Sequence, residues 1–244
     1  MVHHIRQVLL LAFAVALAGC SSTPRFAGMG ADDLFALSEE HFQDRKWNDA
    51  IEALERLLFV FPTYAQAADA RMLLANTFFE KREFVSAAAE YNRFLERHPT
   101  SPMVATAALG VCRSYARLSP DPQRDQSYTR QAVTACQNVA LDYPGSVQAD
   151  EAENLRDEML EKLSTRAYQV GDFYLRRGLY DSAIMAFESV VERYPATSMA
   201  PRALLQLHRT YERLGWGPEA DEARQRLLNL YPASTAAREV VNGP

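Results

Sequence analysis

The sequence predicts an all-α chain, a solenoid of five helical hairpins, and three observations carry that prediction. Pro62, Pro99, Pro144, Pro195 and Pro232 each follow an aromatic residue or histidine, and twelve residues before each stands an alanine: Ala50, Ala87, Ala132, Ala183 and Ala220. A small residue held at a fixed distance from a proline, five times over, marks an internal repeat. With 48% apolar residues, 10 Gly, 12 Pro and few Val, Ile or Thr runs in 244 residues, the composition suits helices joined by brief turns. The only long apolar run lies at the start, over residues 8–18.

Taken in order, residues 1–19 read as an export signal, with His3, His4 and Arg6 ahead of the apolar stretch. Eleven apolar residues are too few for a transmembrane helix, which needs about 20. The ending Leu17-Ala18-Gly19-Cys20 resembles a bacterial lipobox, in which the cysteine takes a diacylglycerol. The resemblance implies lipidation of Cys20 and a permanent anchor, since acyl burial contributes about 0.8 kcal/mol per CH₂ and several chains act together. Ser21 follows the cysteine where an aspartate would favour retention at the inner membrane, so the expected address is the periplasmic face of the outer membrane. Residues 20–30 lack periodicity and read as a lipidated tether.

The five repeats are read over about residues 31–62, 63–99, 100–144, 145–195 and 196–232 of a solenoid spanning 31–240. The proline intervals are 37, 45, 51 and 37, so the middle units carry insertions of 8 and 14. Each unit resembles a tetratricopeptide repeat, a helical hairpin of about 34 residues. The second matches at Ala75, Phe78, Phe84, Ala87, Tyr91 and Pro99, the fourth at Gly171, Tyr174, Tyr180, Ala183, Phe187 and Pro195. Small residues are needed where the two helices approach most closely, and proline ends the second helix. In the third unit the extra residues fall between the helices, at Ser119-Pro120-Asp121-Pro122. In the fourth they lengthen the first helix to about Gln148–Arg177, capped by Ser146 with Asp150 and Glu151 in its first turn.

Chemistry is sparse. The formal net charge of -5, from 26 basic and 31 acidic residues, disfavours a nucleic-acid surface. His41, His98 and His208 are far apart, and no metal-spaced pair, nucleophile elbow or phosphate loop is present. The reading is a non-enzyme without cofactor or metal. Cys112 and Cys136 fall at facing positions of one hairpin, as a disulfide or as two buried thiols. By repeat position, Phe35, Glu39 and Phe42, then Met72, Asn76 and Phe79, face the concave side. Phe35, Phe42, Met72, Asn76 and Phe79 are candidates for a peptide groove, or aromatics that only pack the next helix. The same positions downstream, Tyr168, Asp172, Leu175, Leu205, Arg209 and Glu212, are more charged.

Two stretches, Arg124-Asp125-Gln126 with Thr129, Ala132 and Tyr143-Pro144-Gly145-Ser146, and Tyr174-Leu175-Arg176-Arg177-Gly178-Leu179-Tyr180 with Ala183, resemble the BamD family. These are tetratricopeptide lipoproteins of the outer-membrane β-barrel assembly machine, and the likeness covers nearly the whole chain after Cys20. It implies a non-catalytic adaptor whose carboxyl-terminal repeats dock on a POTRA domain of BamA. The amino-terminal repeats would receive unfolded outer-membrane proteins, alongside other assembly-machine lipoproteins. Relatives carry an arginine where this chain has Ala186, leaving Arg176, Arg177 or Arg209 to supply the ionic contact to BamA. The rival reading is a tetratricopeptide lipoprotein scaffold for peptidoglycan synthesis or cell division.

Overall fold

The repeat alanines also locate the turns. The computed structural model describes residues 25–242, and among them it contains eleven helices and no strand. These are α1 (Ala31–Gln43), α2 (Trp47–Val60), α3 (Ala67–Glu80), α4 (Phe84–Arg97), α5 (Val104–Leu118), α6 (Ser127–Asp142), α7 (Val147–Arg176), α8 (Tyr180–Arg193), α9 (Met199–Leu214), α10 (Gly217–Leu230) and α11 (Thr235–Asn242). The first ten pair as five hairpins. The export signal, Cys20 and the start of the tether lie outside the described residues.

Four hairpin turns share one design. Five residues before Ala50, Ala87, Ala183 and Ala220, the chain passes through the left-handed region at Arg45 (φ 58°), Arg82 (66°), Gly178 (71°) and Gly215 (75°). The next amide reaches back across the turn: Lys46 to His41, Glu83 to Phe78, Leu179 to Tyr174 and Trp216 to Tyr211, at 2.8–3.0 Å. That is the six-to-one bond of a Schellman closure, which satisfies carbonyls the helix end would leave orphaned. The carbonyl of that same residue then accepts from the repeat alanine, opening the second helix.

By its contacts the chain divides into two units, one up to Ala70 and one from Arg71 onward. In the first, α1 and α2 bury Leu34, Ala50, Ala53, Leu54 and Leu57, each at or near zero exposure. A fully buried leucine contributes about 1.5–3 kcal/mol. The end of the tether is held here: Phe26 is buried, and Arg25 pairs with Asp49 at 2.6 Å and Glu52 at 2.7 Å.

In the second unit successive helices pack as neighbours from α4 to α10. Gly171 shows why a first helix needs a small residue, since a Cβ there would sit 2.6 Å from the Phe187 ring. Gly110 meets Tyr91 in the same way, also at 2.6 Å. Cys112 of α5 and Cys136 of α6 are joined as a disulfide, surrounded by Leu109, Val139 and Ala152. The third hairpin has no left-handed turn. Its loop is knotted by buried Gln126, which donates to the Asp121 and Arg124 carbonyls at 2.8 and 3.1 Å and accepts from Thr129 at 2.7 Å. Lys162 of α7 holds the loop from outside through the Ser119 hydroxyl, at 3.0 Å.

Helix α7 has 30 residues and begins where Ser146 accepts from the Ala149 amide at 3.1 Å. It crosses its neighbours rather than protruding. Its first half lies on α5 and α6, with Ala152 in the cluster around the disulfide, and its second on α8 and α9, with Gly171 against Phe187. The sequence reading did not isolate α11, which buries Ala236 and Ala237 against α9 and α10 and closes the last hairpin's open face.

Candidate binding surfaces

The five amino-terminal candidates have different fates, set by what each side chain meets. In the first unit Phe35 is 9% exposed and tilts against Tyr64, whose hydroxyl donates to Asp32 at 2.8 Å. Phe42 lies edge-on to Trp47 with centroids 5.3 Å apart. In the second unit Met72 is 6% exposed, and Phe79 lies edge-on to Phe84 at 5.2 Å. The pairs Phe42–Trp47 and Phe79–Phe84 share a spacing of five residues across the hairpin turn, and Tyr211–Trp216 repeats it as a stack at 6.0 Å. These aromatics cover their own turns while keeping one face half-open.

Asn76 accepts from the Tyr91 hydroxyl at 2.7 Å, so its carbonyl oxygen already holds a partner inside the second unit. Burial pushes the Tyr91 phenol up to about 12. Nearby, Arg71 donates to the buried carboxylate of Glu90 at 3.0 Å, and Arg93 also pairs with Glu90. Arg113 forks onto Glu151 of α7, its Nε at 2.5 Å, which lowers the Glu151 carboxyl below its ordinary range. This polar seam ties α3 to α4 and α5 to α7, and repeat numbering alone does not reveal it.

The three carboxyl-terminal arginines do not share one cavity. Arg176, its side chain 69% exposed, pairs with Asp172 at 2.7 Å and lines a cavity of about 690 Å³ with Gln123, Arg166 and Phe173. Arg177 lies 4.4 Å over the exposed Phe173 ring, a cation–π contact that fixes its guanidinium. Arg209 pairs with Glu239 of α11 at 2.5 Å and lines a separate cavity of about 520 Å³ with Tyr168 and Arg202. Arg166, Arg202 and Phe173 were missed in the sequence reading. The i, i+7 spacing of Arg202 and Arg209 is the signal that could have found one of them.

Among the described residues no three His, Cys, Asp or Glu side chains gather as a metal site, and no helix is long and apolar enough to cross a membrane. These surfaces offer exposed aromatic faces and guanidinium forks to a partner.

Comparison with known proteins gives the arrangement a family. The chain is 25% identical over 218 residues to the outer membrane protein assembly factor BamD of Caulobacter vibrioides, covering 88% of this chain and 72% of that one. It is 25% identical to the assembly factor of the same name from Vibrio cholerae, over 91% of this chain and 96% of that one. Among solved structures, a thermophilic TPR protein of Thermus thermophilus aligns with 87% of this chain and 97% of its own at a TM-score of 0.40 and 16% identity. The family described as YfiO, outer membrane lipoprotein, matches residues 28–237. With a match over most of its length, the chain belongs to the YfiO family of outer membrane lipoproteins.

Proposed function

We propose that the chain is a non-enzymatic adaptor of the outer-membrane β-barrel assembly machine, held by lipid on Cys20 at the periplasmic face of the outer membrane. The observation that carries this reading is the family match over residues 28–237, joined by relatives named as assembly factors that align along most of their length. Hairpin repeats support it, because such arrays work through the surfaces they present.

The carboxyl-terminal half docks on a POTRA domain of BamA through Arg176, Arg177 or Arg209, each exposed and already oriented by a ring or carboxylate. A carboxylate on BamA would exchange with Asp172 or Glu239, a swap that costs little at an exposed pair. The amino-terminal hairpins receive unfolded outer-membrane proteins, with Phe42 and Phe79, in their separate units, offering half-open aromatic faces. Other lipoproteins of the machine complete the assembly.

Purification from detergent-solubilised envelope tests the reading: BamA should co-purify in near-stoichiometric amount, and recovery of cell-wall synthases instead would overturn it. Cys20→Ser should release the chain from the membrane. Phe42→Ala with Phe79→Ala should weaken crosslinking to a barrel-signal peptide without loss of helicity; undiminished crosslinking counts against that surface.

A further inference from the structure

The first hairpin ends on an apolar tip. Phe59, in the last turn of α2, is 84% exposed, and Val60 beside it 39%. Pro62 is also exposed and Phe61 partly so, which carries the apolar surface through the turn that follows. The repeat supplies its own comparison. At the same place in the other hairpins, three and two residues before the repeat proline, stand Glu96-Arg97, Leu141-Asp142, Glu192-Arg193 and Asn229-Leu230. Each of those pairs contains a charged or amide side chain, whereas Phe59-Val60 is wholly apolar. The hairpin therefore does not need an apolar pair there, and contiguous apolar surface left open marks a place of contact.

The tether indicates what covers it. Arg25 is bound to Asp49 and Glu52 on the outer face of α2, and Phe26 is buried. Five residues separate Arg25 from Cys20, a reach of at most about 18 Å. Along α2, Glu52 to Phe59 is seven residues, about 10.5 Å. Positions 52, 56 and 59 share one face of the helix, so the tether joins the face that carries the tip. A bilayer holding an acylated Cys20 is thus within reach of Phe59. The charges one turn back suit its headgroups. Glu55 and Arg56, four and three residues before Phe59, are both exposed, and among the described residues neither forms an ion pair. A guanidinium and a carboxylate side by side match the phosphate and ammonium of a zwitterionic phospholipid. A protein partner fits less well, because the anchor already presents a lipid surface to this face at high effective concentration.

We propose that the end of α2 docks on the membrane that anchors the chain, with Phe59 and Val60 set into the headgroup boundary and Arg56 on a lipid phosphate. The inference rests on the lipidation of Cys20. Docking fixes the orientation of the first hairpin to the bilayer, which a lipid anchor alone does not.

The experiment uses the full-length lipidated chain in vesicles of phosphatidylcholine and phosphatidylethanolamine. With Cys20 acylated and Cys112 bonded to Cys136, an introduced cysteine is the one free thiol. Val60→Cys is labelled with a polarity-sensitive fluorophore, and so is Glu40→Cys, exposed on α1 near the hairpin turn at the other end of α2. Quenching by nitroxide-labelled lipid is then read. The label at position 60 should lie about 5–10 Å into the interface and be quenched about threefold more than the label at position 40. Phe59→Glu, added to the Val60→Cys chain, should remove that excess while circular dichroism stays unchanged, because Phe59 takes little part in the core. Equal quenching at both positions in a chain that floats with the vesicles, or an excess that survives Phe59→Glu, would overturn docking and leave the tip to a protein partner. A chain that mass spectrometry shows to lack diacylglycerol would overturn the lipidation reading itself, and docking with it.

Discussion

The first two hairpins turn on Arg45 and Arg82, whereas the fourth and fifth turn on Gly178 and Gly215, all with φ between 58° and 75°. The hydrogen bonds across these four turns are the same. Left-handed backbone costs a residue with a Cβ about 1–2 kcal/mol and glycine nothing. The packed helices therefore dictate the turn, and the residue placed there only sets its cost. The second and fourth hairpins differ again inside. Tyr91 and Phe187 occupy the same repeat position, and each presses its ring on a glycine, Gly110 or Gly171. Tyr91 adds a hydroxyl that must find Asn76, where Phe187 needs nothing polar. The second hairpin thus adds a polar pair at a position where the fourth relies on apolar packing alone. The third hairpin has neither turn, being closed by Gln126 and a disulfide.

The largest effect expected is on that third hairpin. Cys112→Ser with Cys136→Ser should lower stability by about 3 kcal/mol in the chain-entropy account, measured by urea denaturation. A loss equal to that of an ordinary surface change would mean the Gln126 knot suffices. Next comes alkaline pH. Because the folded state holds the Tyr91 phenol neutral up to about 12, its contribution is complete below about pH 10 and is lost as pH rises from there towards 12. Tyr91→Phe, which gives this position the ring that the fourth hairpin carries there, should flatten that part of the stability profile. An unchanged profile would separate Tyr91 from the polar seam.

Gly171→Ala should cost about 1–3 kcal/mol, because the added methyl meets the Phe187 ring and a packed core yields little. Gly178→Ala meets no atom within 4 Å, yet should cost about 1 kcal/mol through backbone strain alone. The smallest effect has the opposite sign: Arg82→Gly should stabilise by about 0.5–1 kcal/mol, since relief of strain outweighs the entropy glycine loses. If Arg82→Gly destabilises instead, the arginine makes contacts that outweigh its strain.

Much of the fold was legible because its determinants are local. The alanine-to-proline interval and the insertions at Ser119-Pro120-Asp121-Pro122 and ahead of Gly171 follow from spacing along one helix or one turn, and so do the hairpins they mark. The site was less legible. Asn76 reads as a groove residue until Tyr91, fifteen positions on, is seen to hold it. Arg176 and Arg209 read as one docking set until helix packing assigns them to different cavities.

The sequence by itself determined the helices, their pairing and the small residues between them, since each depends on neighbours within a few turns of chain. Only the tertiary structure decided which aromatics stay half-open, that α7 crosses its neighbours, and that Tyr91 holds Asn76. Those features join side chains that lie in different helices, and nothing in local spacing encodes which of them packing will bring together.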